Sequence, residues 1–278
     1  MKKNIGEIKP KAFENRKSLT SYVIPDGVTV IGERAFARCI NLTSVVIPDS
    51  VTSIGKDAFF GCSGLKSITI PDSVTSIGDW AFSGCSSLQE IIVAEGNPVY
   101  HSAGNCIIET ESKTLIAGCK SSVIPNDGSV TSIGEYAFCG CCDLTSVTIP
   151  DSVTSIGNLA FSSCSGLTSI TIPDSVTSIG WSAFSGCSGL TSVTIPGSVT
   201  SIGDSAFYGC SGLTSITIPD SVTSIGVRAF SECSGLKTIT YHGTMSQWRA
   251  IEKASDWDKG TPDYKVHCTD GVLDKDDE

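Results

Sequence analysis

A tandem-repeat solenoid is the fold class this sequence predicts, and three observations predict it. Phenylalanine recurs on a 23-residue clock: Phe13, Phe36, Phe59 and Phe82, then Phe138, Phe161, Phe184, Phe207 and Phe230. Almost every other apolar residue moves in step, as in the copy LTSITIPDSVTSIGWSAFSGCSG at residues 167–189. Finally, no copy buries its apolar surface alone. Ordering costs roughly 1.5 kcal/mol per residue, and burying one large aliphatic side chain returns only about 1.5–3 kcal/mol. Stacked copies bury one face against the next, so the apolar residues should run in continuous columns and share stability between neighbours.

Each copy opens on a leucine: Leu19, Leu42, Leu65, Leu88, Leu144, Leu167, Leu190 and Leu213. An apolar residue stands three on (Val45, Ile68, Ile170, Val193, Ile216), and another two later (Ile47, Ile70, Ile172, Ile195, Ile218). That last spacing is the two-residue period of a strand with one buried face. A proline then stops the run (Pro48, Pro71, Pro173, Pro196, Pro219), because it has no N–H to give a ladder. A second short apolar pair follows, such as Val176 and Ile179. Gly180 allows a backbone turn, and Ala183, Phe184 and Cys187 fit a short helical or irregular turn.

The period breaks once. From Phe82 to Phe138 is 56 residues (138 − 82), one period of 23 plus 33. The proline step is lost at Ala94, and an insertion runs to about Asn126, where Ile124-Pro125 restores it. Within it, Cys106–Ile108 and Leu115-Ile116 flank Thr110–Lys113, which reads as a hairpin carried on the solenoid. It is either a structural elaboration or a binding protrusion.

After Tyr241 the period is lost. Met245, Trp248 and Ile251 share one helical face, with Thr244 or Ser246 as N-cap, and Tyr264–Val266 reads as a last strand. This segment would cover the exposed final layer, as an open solenoid requires. Asp274, Asp276, Asp277 and Glu278 form an acidic tail expected to fray. One elongated domain is therefore expected at 1–240, with the insertion at about 94–126, followed by a capping segment at 241–278.

The pattern L-x-x-I-x-I-P-x-x-V-x-x-I-G-x-x-A-F-x-x-C resembles the leucine-rich repeats of BspA-type proteins over about residues 8–240. The tail, Tyr241–Trp248 and Val266–Gly271, is similar to an end segment common in that family. The resemblance implies a right-handed leucine-rich-repeat superhelix. It would carry a parallel β-sheet on its concave side, short strands and turns elsewhere, and a small α/β cap at the C-terminus. It also implies a non-enzymatic binding role at a cell surface or in secreted form, in some members as adhesins, and it supplies no catalytic residues to carry over.

The formal charge of −10 and pI near 4.7 argue against nucleic-acid binding by counterion release. No apolar run is long enough for a membrane span. Met1-Lys-Lys begins like a signal peptide, but Glu7, Lys9 and Lys11 follow instead of an apolar core. The chain is therefore cytoplasmic, exported by another route, or lacking its leader. Thirteen cysteines are present, and eight form a column: Cys39, Cys62, Cys85, Cys141, Cys164, Cys187, Cys210 and Cys233. A redox or metal ladder is one reading. One residue type serving every repeat fits a small buried hydrophobe better, and reduced thiols fit it better than a disulfide framework. Cys139, Cys141 and Cys142 have no second ligand pair at zinc-like spacing, so no metal is expected. The three histidines (His101, His242, His267) sit beside no nucleophile-and-base set, and no phosphate-binding motif occurs. No cofactor is implied.

Two surfaces remain for a partner. The main strands point hydroxyls outward (Ser67 and Thr69, Ser146 and Thr148, Ser169 and Thr171, Ser192 and Thr194, Ser215 and Thr217), an array for cross-strand pairing with water or for glycans. Around each Ala-Phe the copies differ, holding Lys56, Phe60, Trp80, Tyr136, Leu159, Trp181, Tyr208 and Arg228. Aromatics and arginine on a hydroxyl-rich surface are residue types that anchor interfaces, and drift at tolerant sites would give the same variety. The leading expectation is an adhesin-like binder of a protein or glycoprotein. An intracellular scaffold and a carbohydrate-binding surface protein are the alternatives.

Overall fold

The computed structural model describes residues 6–277; Met1-Lys-Lys and Glu278 lie outside them. It is a β-solenoid of about 11 turns. Each regular turn contributes two strands. The first is the Ser-x-Thr segment: Ser146–Thr148 pairs in parallel with Ser169–Thr171, matching Val147 to Ile170. The second is a two-residue Ser-Ile strand: Ser155–Ile156 pairs with both Ser132–Ile133 and Ser178–Ile179. The second apolar pair is thus a true strand, and each turn lies in register on the last. A third ladder runs through the Ala-Phe turns, where Phe36 N donates to Ala58 O and Phe161 N to Ala183 O, both at 2.8 Å.

The Ala-Phe turn is irregular, not helical. Ala183, Ser185 and Cys187 each donate to a carbonyl three residues back. The residue before Ala-Phe is left-handed in every regular copy: Arg34, Asp57, Trp80, Tyr136, Leu159, Ser182, Ser205 and Arg228 have φ between 52° and 62°. Gly180 was expected to supply the turn. Its Cβ would instead lie 2.5 Å from Asn158 N of the preceding turn. Glycine is required there for close approach between turns, and the strained dihedral falls two residues later.

Inside, the phenylalanines stack nearly parallel, with centroids 5.1–5.7 Å apart from Phe13 to Phe82 and 5.0–5.5 Å from Phe138 to Phe230. The cysteine column lies beside them: Cys62 Sγ donates to Phe36 O at 3.0 Å and Cys187 Sγ to Phe161 O at 3.1 Å. All the cysteines are free thiols. Burial pushes the Cys62 and Cys187 thiols up to about 12, so the column is neutral and inert.

The expected hairpin is present, with Cys106–Glu109 and Thr114–Ala117 antiparallel about Thr110–Lys113, but it is built into the solenoid rather than carried on it. Tyr100–Ala103, Cys106–Glu109 and Thr114–Ala117 form an antiparallel set whose last strand pairs in parallel with Ser132–Ile133. It is therefore a rung of the short-strand sheet. Cys106, Ile107 and Ile108 are all fully buried, because the strand is covered on both faces and so reads as a continuous apolar run. Ile107 and Ala117 belong to the N-terminal core, and Cys106, Ile108 and Leu115 to a separate C-terminal core. The insertion is a partition with a core on each side. Asn97 fastens it: its amide donates to Pro71 O and Val74 O at 2.9 Å, and its oxygen accepts from Val99 N and Tyr100 N.

At the C-terminus, Thr244 caps the helix Met245–Ala250 through a reciprocal capping box with Gln247, and Trp248 is fully buried. Glu252–Lys253 extends the short-strand sheet and Lys265–Cys268 the long one. Gly271–Asp274 then closes the edge in antiparallel pairing. Within the described residues the acidic tail lies against the cap: Asp274 pairs with Lys265, Asp277 Oδ2 accepts from Asp274 N, and Arg249 Nε donates to Asp277 O.

Candidate functional site

At the partition the regular stacking fails on one side only. Gly84 N donates directly to Cys139 O at 2.9 Å, so the turns before and after the insertion touch there. The contact needs glycine at 140, since a Cβ there would fall 2.8 Å from Gly84 Cα. Deeper in, the partition intervenes. Gly118 N donates to Ala137 O as the ladder phenylalanines do to their alanines, so glycine stands where a regular turn has phenylalanine. A Cβ on it would lie 2.1 Å from the Phe138 ring. The phenylalanine stack is thus interrupted between Phe82 and Phe138, and a cleft of about 200 Å³ opens between the two blocks.

The cleft is lined by Ile77, Phe82, Ile116 and Ala117 within, Ser83, Thr114 and Cys139 beside them, and Asp79, Trp80, Glu135 and Tyr136. Trp80 and Tyr136 stack across the seam at 4.1 Å, and Phe60 meets Trp80 edge-on at 6.2 Å. Burial raises the Cys139 thiol to about 11, against the lowering effect of hydrogen bonds with Ser83 and Ser162. It is neutral at physiological pH and is not poised as a nucleophile. Among the described residues no group of three or more His, Cys, Asp or Glu could hold a metal ion.

Of the sequence-predicted positions, the structure brings Phe60, Trp80 and Tyr136 into one aromatic run. Lys56 is exposed, one turn before Asp79. Leu159 is half-buried one turn after Tyr136, and its N–H donates to Trp181 O. Trp181, Tyr208 and Arg228 are exposed on later turns, outside that run. The variety at these positions is a tolerance of side chain only, because Trp80, Tyr136, Leu159 and Arg228 all bear the left-handed dihedral. Asp79 and Glu135 were missed. Their signal is in the sequence: among the regular Gly-x-x-Ala-Phe turns only Gly-Asp-Trp-Ala-Phe and Gly-Glu-Tyr-Ala-Phe set an acid before an aromatic.

The hydroxyls of the long strands point to solvent. Among the described residues none bonds to its neighbour, and the one side-chain pair of this kind, Ser132 with Ser155 at 2.9 Å, lies on the short strands. The same face turns apolar toward the N-terminus, where Val23, Val46 and Ile92 are exposed in place of threonine. No helix among the described residues is long and apolar enough to cross a membrane.

The family described as BspA type leucine rich repeat region, in 6 copies, matches residues 6–128 and 131–251. No protein of curated function matches. Among solved structures, a leucine rich cell surface protein from Faecalibacterium prausnitzii is 39% identical with a TM-score of 0.77. The match covers 89% of this chain and 66% of that one, so this chain spans slightly less than two thirds of that relative. A leucine-rich repeat protein from Eubacterium ventriosum is 23% identical (TM-score 0.64, covering 88% and 84%). The pneumococcal vaccine antigen PcpA is 17% identical (TM-score 0.62, covering 92% and 71%). These last two are likenesses of fold.

Proposed function

Because this chain belongs to the BspA-type leucine-rich repeat family, we propose that it is a non-enzymatic binder that works at a cell surface, in the manner of an adhesin. Its partner is a protein or glycoprotein. The repeat itself is a protein-interaction fold, and the F. prausnitzii relative is described as a cell surface protein. The observation that carries the reading is the aromatic run Phe60–Trp80–Tyr136 beside the cleft. Aromatic residues around a pocket are the usual anchors of an interface. The rest of the surface, hydroxyl-rich and lightly charged, supplies complementarity rather than energy.

The unpaired strand hydroxyls support a second reading, a glycan platform on the long-strand face. Replacing Ser169, Thr171, Ser192 and Thr194 by alanine would abolish glycan-array binding if that face is used, and would spare binding through the seam.

Protease shaving of intact source cells with mass spectrometry tests the surface role. Release of peptides from residues 6–277 supports it. Protection until lysis would overturn it in favour of an intracellular scaffold. A screen of matrix proteins then tests the site: Trp80→Ala and Tyr136→Ala should each weaken binding, and Trp181→Ala should not.

A further inference from the structure

The seam cleft has a chemical character of its own. We propose that it receives the guanidinium of an arginine side chain presented by a protein partner. The inference rests on the binding reading above and names the chemistry that reading lacks.

Size comes first. A cleft of about 200 Å³ is smaller than the roughly 300–1,000 Å³ of sites that hold whole small molecules. It fits one side chain, not a cofactor or an oligosaccharide. Charge comes second. Asp79 and Glu135 occupy the same place in their two turns, and the seam brings both to one opening. Neither is paired with a lysine or arginine among the described residues. Among the described residues Glu135 accepts from the Asn158 amide alone, at 2.7 Å on Oε1, which leaves its second oxygen open. The chain as a whole is at −10, so a basic partner is drawn toward it over several ångströms before contact.

The aromatic pair is third, and it selects among cations. Trp80 and Tyr136 cover one face of each other at 4.1 Å, and both rings line the cleft beside the two carboxylates. A cation over an aromatic face is attracted by the ring quadrupole. Guanidinium is flat, weakly hydrated and forked, so it can lie on a ring and still donate to carboxylates in its plane. Ammonium is a compact, strongly hydrated point charge and does one or the other.

The test uses the whole chain. The indole N–H of Trp80, assigned by its loss in Trp80→Phe, is followed by NMR during titration with acetyl-Gly-Arg-Gly-amide. The same peptide with citrulline, which is nearly isosteric but uncharged, is the control. A saturable shift with a Kd on the order of 1 mM is expected. It should be at least about tenfold weaker for citrulline and for the Asp79→Asn/Glu135→Gln variant. The lysine peptide should bind less well than arginine. Equal shifts with both peptides, or a shift retained in the double variant, overturn the proposal. Both substitutions conserve shape at exposed positions, and an unchanged spectrum elsewhere reports that the fold is intact. The outcomes separate the two readings. If the double variant still binds the matrix protein found by screening, the surface-binder reading stands and the arginine pocket falls. If shaving shows no exposure while the arginine shift persists, the pocket stands without the surface role.

Discussion

Trp80 precedes the insertion and Tyr136 follows it, yet their rings stack with centroids 4.1 Å apart. They meet because the partition fills the interior between their turns and leaves the edge to close directly through Gly84 and Gly140. The pair couples the two blocks. In a double-mutant cycle, Trp80→Ala and Tyr136→Ala should show an interaction energy of about 0.5–1.5 kcal/mol in unfolding free energy. Purely additive effects would mean that the stack contributes nothing to the seam.

Asn97 is the fastener on the other side. Asn97→Ala removes four hydrogen bonds and leaves Pro71 O and Val74 O without that partner. A loss of about 2–3 kcal/mol is expected. Hydrogen exchange should quicken in Tyr100–Ala103 and Cys106–Glu109 while the strands beyond Val147 keep their protection. Uniform quickening along the chain would contradict a local role.

The interior of a phenylalanine stack and its interrupted end should differ. Phe184 is fully buried between rings at 5.3 Å on both sides, and Phe184→Ala should cost about 3–5 kcal/mol as a closed cavity does. Phe82 has a stacked ring on one side only and lines the cleft. Its truncation enlarges an opening that water already reaches, so Phe82→Ala should cost less in urea unfolding than Phe184→Ala.

The cysteine column predicts alkaline instability. Burial raises Cys62 and Cys187 to about 12, above the roughly 8.5 of a thiol in an unfolded chain. A raised folded pKa means that the neutral thiol contributes its full share below the unfolded value and loses it as pH rises toward the folded one. The melting temperature should therefore fall between about pH 8.5 and 12, and less steeply in Cys187→Ala. In the native state, iodoacetamide at neutral pH should label Cys142, the exposed thiol, and leave the column untouched.

The left-handed position predicts an improvement. Ser205 sits at φ 54°, a region that asparagine tolerates and most L-residues reach at a cost of roughly 1–2 kcal/mol. Ser205→Asn should raise the melting temperature, with a gain of up to about 1 kcal/mol. A lowered value would show that the dihedral is set without strain.

Most of the regular turns could be read from sequence because each residue in them has one job. The Leu, Ile and Phe columns are buried where the 23-residue period placed them, and the Ser-x-Thr strands follow its two-residue alternation. The partition was harder. Leu115 pairs with Ile133, only 18 residues on (133 − 115), so its strand falls off the period that identifies the regular rungs. Trp80 and Tyr136 were recognisable as candidate anchors, but their meeting depends on how thick a layer the insertion makes, and no local pattern encodes that. The left-handed dihedral was hidden for a different reason: no glycine marks it, and the interlocked turns impose it on whatever residue is there.

The division of the interior by the partition has a mechanical consequence. Two rigid stacks that share no continuous core behave as two stiff rods joined by a softer coupling in series. Tension along the axis would be carried equally by all three, but the strain would collect at the coupling, where Gly84–Cys139 and the Trp80–Tyr136 stack tie the blocks directly, Asn97 ties the partition to the first block, and the Leu115–Ile133 ladder and Gly118–Ala137 tie it to the second. A protein held by one end and pulled through the other would gape at the cleft before any regular turn gave way, and its grip there would depend on load.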